Sequence, residues 1–180
     1  INTKSYTDAP AVLWESDGSD EYTISDSDKR ETGTEITLYL NGKKYITMVA
    51  TNDSLTELGA GFFVAAGIAK RILTVTVDGT DVFVEADDVI CVDGALESAG
   101  GFDPGHAESV SANDARITPD EIFAIREALN GDAWGETGGL HCTVLYHRHE
   151  QAAVFSDIGR HNTVDKAIGF MTLNGLNPAE

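Results

Sequence analysis

The sequence predicts an α/β protein, a mixed sheet with flanking helices, on three observations. Alternating β-branched runs flank Asn41-Gly42, the strongest short-range hairpin signal, and Asp78-Gly79 divides a second such pair. Ser54-Leu-Thr-Glu57 and Thr118-Pro-Asp-Glu121 are capping boxes, each standing before apolar residues at helical spacing. From Thr137 onward the chain reads strand, turn, strand, loop, helix.

Residues 1–34 are rich in Asp, Ser, Thr and Glu, with little to bury beyond Trp14, Tyr22 and Ile24. An acidic, loosely ordered lead-in with one strand near 21–25 is expected there. Residues 35–131 read as an N-terminal α/β portion that opens on the hairpin of 35–40 and 43–50. The Ser54 box then starts a helix carrying Leu55, Leu58, Phe62, Phe63, Ala66 and Ile68. Gly59, Gly61 and Gly67 would each cost an isolated helix about 1 kcal/mol relative to Ala, so they predict a close backbone approach, read here as helix on sheet. Strands are expected over 72–77, 81–85 and 89–92.

Residues 93–117 show neither helical nor strand period; a loop of that length inside a compact domain is usually functional or disordered. The Thr118 box starts the next helix, with Pro119 at its first position and Ile122, Phe123, Ile125 and Leu129 facing inward, and Asn130-Gly131 stops it. In residues 132–180, Thr137-Gly-Gly-Leu-His141 runs into an apolar strand over 142–146. A polar turn over 147–151, a strand over 152–157 and a loop over 158–161 follow. Asn162-Thr-Val-Asp165 caps a last helix carrying Val164, Ile168 and Met171.

The 180 residues hold 30 acids against 12 bases, a formal net charge of −18. Such a surface repels nucleic acid, whereas a small phosphorylated ligand in a local basic pocket stays compatible with it. An acid surplus with few lysines also suits a protein kept soluble in high salt. Hydrophobic residues make up 42%, and a chain this long buries about 70% of its unfolded surface, so a core is available without staples. No apolar run approaches the ~20 residues of a membrane span. The N-terminus, which begins at Ile1, lacks the apolar stretch of a secretory signal. Cys91 and Cys142 lie far apart, and reduced thiols in a cytoplasm are expected.

Ligand chemistry concentrates in Asp157-Ile-Gly-Arg-His-Asn-Thr-Val-Asp-Lys166. A helix N-terminus offers unpaired N–H groups and about half a positive charge, which attract anions. Gly159 admits a ligand to the backbone, Arg160 presents a planar fork for phosphate or carboxylate, and His161 and Asp165 share a helical face. Asp157, at a strand end, is placed to hold a base or ribose hydroxyl or to orient Arg160. The competing reading is a capped helix with an Asp157–Arg160 or Asp165–Arg160 surface pair, worth about 0–1 kcal/mol. Thr137-Gly138-Gly139 is a second glycine turn that on its own merely changes direction. His141, His147 and His149 invite a metal reading, but no Cys-x-x-Cys or His-Glu-x-x-His accompanies them and no metal ligand is assigned. The candidate catalytic thiols are Cys91, in an apolar strand, and Cys142, whose neighbour His141 points to the opposite strand face.

Thr137-Gly-Gly-Leu-His141, followed after one strand-turn-strand by Asp157-Ile-Gly-Arg-His-Asn-Thr-Val-Asp-Lys166-Ala-Ile-Gly169, closely resembles the formate dehydrogenase accessory sulfurtransferase family, FdhD. Glu57-Leu-Gly-Ala-Gly-Phe62 with Gly67-Ile68 resembles that family's earlier helix motif, and 35–50 matches its hairpin in pattern, so the resemblance runs over 35–173 in order. It implies a cytoplasmic protein that matures molybdenum- or tungsten-dependent formate dehydrogenase. A loop cysteine of the family accepts sulfur from a cysteine desulfurase and passes it to the metal of a bound molybdopterin guanine dinucleotide. The resemblance further implies a cytidine-deaminase-like α/β/α core beginning within 132–180 beside an additional α/β part, a homodimer, the formate dehydrogenase catalytic subunit as partner, and GDP as a surrogate ligand. Carried over by position, Thr137, Gly138, Gly139 and His141, with Gly159, Arg160, His161, Asn162, Asp165 and Lys166, would line the cofactor pocket beside Asp157.

Three departures from the family stand out. Its sulfur-carrying loop bears Cys-Gly-x-Cys-Gly, whereas 93–105 reads DGALESAGGFDPG and holds no cysteine. A persulfide needs a thiolate, so the usual relay cannot run through this loop. The family also continues with further strands and helices past the point where this chain stops, and its glutamate before Gly67 is replaced by Ala66. The function expected is an accessory protein for formate dehydrogenase maturation that binds the cofactor, with sulfur transfer to it left open by the missing loop cysteines. The alternatives are a cofactor-binding chaperone without sulfurtransferase activity and a metal-dependent hydrolase on a deaminase-like scaffold.

Overall fold

Asn41 and Gly42 both take positive φ, 48° and 77°, in the computed structural model of the protein, which describes residues 2–4, 9–15, 22–28, 33–90, 117–129 and 139–177. Two left-handed residues make the tight turn whose twist suits paired strands, and they close the predicted hairpin of β4 (Gly33–Leu40) and β5 (Lys43–Ala50). Asn41 does more than turn. Its side chain accepts from Ala86 N–H at 2.9 Å and donates to Ala86 C=O at 3.1 Å, extending the sheet like a strand residue.

Among the described residues, the larger sheet runs β3-β2-β1-β4-β7-β6, with β5 also paired to β4. Here β1 is Asn2–Lys4, β2 is Val12–Glu15, β3 is Thr23–Asp26, β6 is Ala69–Asp78 and β7 is Asp81–Val89. β4 and β7 are parallel, from Thr37↔Asp81 to Leu40↔Val84, and the other pairings are antiparallel. Ile36, Leu38 and Leu40 of β4 and Val82, Val84 and Ala86 of β7 alternate into the core. They meet Leu55, Leu58 and Phe63 of α1 (Leu55–Ala65), each large side chain contributing about 1.5–3 kcal/mol on burial.

Several expectations change. The acidic lead-in holds three short strands, not one, because pairing to β4 through β1 outweighs a sequence with little to bury. The strand breaks expected around 77–81 and 85–89 reduce to one: β7 runs on through Ala86-Asp87-Asp88, with residues 91 and 92 outside the described residues. Ser54 does not cap α1. It adopts a left-handed backbone, φ 47° and ψ 40°, instead of the extended one a capping residue takes, and its side chain makes no capping hydrogen bond.

The remaining described residues form α2 (Pro119–Leu129), β8 (His141–His147), β9 (Glu150–Asp157) and α3 (Arg160–Leu173). The Thr118 capping box forms as predicted: Glu121 N–H donates to Thr118 Oγ1 at 3.3 Å, and Thr118 N–H donates to Glu121 Oε2 at 2.6 Å. The inward face predicted for α2 is not buried, with Ile122 52% and Phe123 60% exposed. β8 and β9 make a separate two-stranded antiparallel sheet, turned through Arg148 and His149 at φ 51° and 65°. Among the described residues no helix is long and apolar enough to cross a membrane.

Candidate functional site

The centre of the site is a buried ion pair. Asp157, the last residue of β9, and Lys166, on the second turn of α3, are both fully buried and 2.8 Å apart. Two charges in the interior persist only when their remaining hydrogen-bonding capacity is met, and here it is. Lys166 Nζ donates to Thr51 Oγ1 at 2.8 Å, Asp53 Oδ1 at 2.6 Å and Ser156 C=O at 3.2 Å. Asp157 Oδ2 accepts from Thr51 N–H at 3.1 Å and Thr51 Oγ1 at 2.8 Å, while Oδ1 accepts from Gly159 N–H at 2.8 Å and Asn162 Nδ2 at 2.9 Å. Asn162 Nδ2 also reaches Val49 C=O at 3.0 Å. Three segments, the end of β5 with the connection after it, β9 and α3, are thereby pinned on one carboxylate.

That pinning sets where α3 begins. The predicted cap was Asn162, but its side chain is spent on Asp157 and Val49, and the helix starts earlier, with Gly159 at the N-cap. A Cβ on Gly159 would lie 2.7 Å from Asn162 Nδ2, so the glycine makes room for the brace. No side chain caps α3 and no acid lies in its first turn, while Arg160 and His161 are exposed at its start. An exposed, uncapped helix N-terminus beside a guanidinium presents unpaired N–H groups and positive charge, the chemistry that attracts anions.

Antiparallel pairing of β8 with β9 sets His141 opposite Asp157, so the Thr-Gly-Gly-x-His segment runs alongside the turn into α3. Gly139 and His141 are exposed there; Thr137 and Gly138 lie outside the described residues. Thr143 shares the strand face of His141 and meets Thr163 of α3, Oγ1 to Oγ1, at 2.7 Å. Cys142, a free and partly buried thiol, is therefore on the face turned away from α3. Cys91 lies outside the described residues.

Asp165 is placed differently from the pinned residues. Burial, and then the nearby charge of Asp157, raise its pKa to about 6 from the ordinary 3.8. His149 is drawn to α2, its Nδ1 2.6 Å from Glu121 Oε1. The hydrogen bonds from Thr118, backbone first, then the His149 contact, lower the Glu121 pKa to about 2. Among the described residues no three His, Cys, Asp or Glu side chains come together as a metal ligand set, so His141, His147 and His149 do not converge. Val164, one of the apolar residues that the last helix carries, is 46% exposed, because α3 buries a polar and small face of Asn162, Thr163, Lys166, Ala167 and Gly169.

Thr51 and Asp53 belong to this arrangement and carry no local signal in the sequence; Thr163 lies within the Asp157–Lys166 run but has no role assigned to it there. Thr51 and Asp53 are more than a hundred positions from their partners, in a stretch that reads only as a connection before a helix.

The FdhD/NarQ family model matches residues 32–180. The chain is 26% identical to the sulfur carrier protein FdhD of Shouchella clausii, over 92% of this chain and 70% of that protein. It is 28% identical to the sulfur carrier protein FdhD of Bacillus subtilis, over 83% of this chain and 65% of that one. The counterpart in Halalkalibacterium halodurans is 24% identical, over 78% and 60%. The chain thus spans 60–70% of the length of these curated relatives. Among solved structures, a formate dehydrogenase accessory protein from Desulfotalea psychrophila superposes with a TM-score of 0.66 at 22% identity, covering 94% of this chain and 71% of that one, a likeness of fold.

Proposed function

The chain belongs to the FdhD/NarQ family, and from that premise we propose that it is an accessory protein of formate dehydrogenase that binds a molybdopterin guanine dinucleotide carrying molybdenum or tungsten. One observation carries the reading: the N-terminus of α3, uncapped and free of acid in its first turn, is exposed beside Arg160 and His161 and pinned from below by Asp157. In a protein of net charge −18, an exposed cationic helix start is where an anionic group finds attraction.

The residues suit the diphosphate of such a nucleotide. First-turn N–H groups and the Arg160 fork would hold phosphate oxygens, while Gly139 and His141 border the seat from the neighbouring strand. Asp157, Asn162 and Lys166 would act from behind, since their polar atoms are engaged within the chain. When bound, the cofactor supplies the metal centre that a client formate dehydrogenase requires. Delivery to the client's catalytic subunit, and the homodimer and cysteine desulfurase implied by the resemblance, belong to the same proposal.

Calorimetric titration with GDP tests it. Binding by the wild type is expected, and Arg160→Ala should weaken it by about 1.5–3 kcal/mol, the range of a charge-assisted hydrogen bond. No binding by the wild type removes the nucleotide reading; equal binding by the variant removes Arg160 from it.

A second reading, cofactor carriage without sulfur transfer, is favoured by the thiols. Residues 93–105 contain no cysteine, and Cys142 lies on the strand face turned away from α3. Persulfide labelling after incubation with a cysteine desulfurase separates the two: label on Cys91 or Cys142 supports transfer, and no label on either supports carriage alone.

A further inference from the structure

The node beneath α3 involves a segment that neither motif includes. The connection between β5 and α1 contributes Thr51 and Asp53, which meet the two buried charges and, through Thr51 Oγ1 at 3.3 Å, the Ser156 carbonyl. Thr51 Oγ1 stands between them, 2.8 Å from Lys166 Nζ and 2.8 Å from Asp157 Oδ2, accepting from the first and donating to the second. Its N–H donates to the same carboxylate oxygen. Asp53, with a mostly exposed side chain, lies 2.6 Å from Lys166 Nζ. The next residue, Ser54, is held in the left-handed region at φ 47°, a conformation that costs a non-glycine residue free energy and persists only where its surroundings impose it. It lies between the bonds of Thr51 and Asp53 on one side and the packed α1 on the other.

Asp157 in turn orients the start of α3 through Gly159 N–H and Asn162 Nδ2, using the oxygen that Thr51 does not use. Each oxygen of one carboxylate thus holds a different segment, so a change in the Thr51 half is felt at the helix start. We infer that Thr51 and Asp53 are positioning residues for the first turn of α3, acting through Asp157 and Lys166. They touch no ligand themselves. The inference deepens the proposed function and rests on it only for the ligand; the mechanical coupling stands on the hydrogen bonds.

Amide hydrogen exchange on the whole chain, read residue by residue, tests the coupling without a ligand. Thr51→Val removes the hydroxyl at nearly constant volume, Asp53→Asn removes a charge from a largely exposed side chain, and Thr51→Ser keeps the hydroxyl. In Thr51→Val and Asp53→Asn the hydrogen-bonded amides of Gly159 and Thr163 should exchange at least fivefold faster than in wild type while those of β4 and β7 keep their rates. Thr51→Ser should restore wild-type exchange. Unchanged exchange at Gly159 and Thr163 in both variants overturns the inference. So does acceleration spread evenly over all elements, which is what mere loss of stability produces.

GDP titration of the same proteins, at a temperature where all are folded, gives the second readout. About tenfold weaker binding by Thr51→Val, with recovery in Thr51→Ser, is expected. Tight binding by Thr51→Val despite faster exchange at Gly159 and Thr163 overturns the functional part of the inference. If wild type binds no GDP, the nucleotide reading fails, and the exchange data still decide the coupling.

Discussion

Lys166 shows how a single residue changes meaning between sequence and structure. In the sequence it is one cation at the end of a motif; in the fold it is a fully buried ammonium facing Asp157 at 2.8 Å. Removing one member of such a pair strands the other charge, so Lys166→Met should lower the unfolding free energy by about 3–5 kcal/mol in urea denaturation. Adding Asp157→Asn to that variant should then cost far less than it does alone, because the two act as a unit. Its neighbour Asp165 acts in the opposite sense. Its pKa is about 6 in the fold against 3.8 ordinarily, so the folded state holds the extra proton between those values. The stability this contributes is complete below the lower value and is lost as pH rises through the higher one. Asp165→Asn, which keeps the neutral form at every pH, should therefore be more stable than wild type above pH 6. At about 1.36 kcal/mol per pKa unit, and discounted for residual solvent, the gain is about 1–2 kcal/mol and should vanish below about pH 4. Thermal melts of both proteins at pH 4 and pH 8 check the sign, and equal melting differences at the two values would show that Asp165 is not the group responsible.

Among elements, the α1–α3 contact is the most demanding. The glycines of α1 were expected to let it approach a sheet, and Gly59 does so, with a Cβ there reaching Val82 Cγ1 at 2.5 Å. Gly61 serves a different neighbour. A Cβ on it would overlap the carbonyl oxygen of Asp165, and one on Gly169 would overlap that of Glu57. Two antiparallel helices therefore touch backbone to backbone, and this contact presses α3 onto the rest of the fold. Gly61→Ala and Gly169→Ala should each destabilise by about 1–3 kcal/mol or more, since a backbone obstacle cannot rotate aside. Denaturant midpoints give the test; a neutral Gly61→Ala would mean that the helices separate at little cost. α2 stands at the other extreme, with a complete capping box, the His149–Glu121 contact and no buried residue. Its apolar periodicity and its local caps were legible in the sequence. Whether the apolar face would be covered was not, because that depends on neighbours remote in sequence.

At the scale of the whole molecule, charge dominates. A net charge of −18 over 180 residues repels itself most strongly in the compact state. Screening by salt should therefore raise the melting temperature steadily from about 0.01 M to 0.5 M, as the Debye length falls from about 30 Å to well under 10 Å. A flat or falling profile would mean that local pairings outweigh the net repulsion. The same surplus would favour small anions at the proposed cationic site, because the rest of the surface turns larger polyanions away.

By itself the sequence determined most of the elements and pointed to a candidate site. Turn dipeptides, alternation and capping signals are local, so both hairpins, the helices and the run from Asp157 to Lys166 could be read from neighbours in the chain. Only the tertiary structure decided which residues of that run face outward and which are consumed within. Asp157, Asn162 and Lys166 look like ligands in a motif, yet their hydrogen bonds end on Val49, Thr51 and Asp53. Tertiary structure also brought the lead-in onto the sheet and set the true start of α3. The physical reason is the same in each case. A buried charge must find partners wherever the fold places them, and here those partners lie more than a hundred residues away, beyond the reach of any local pattern.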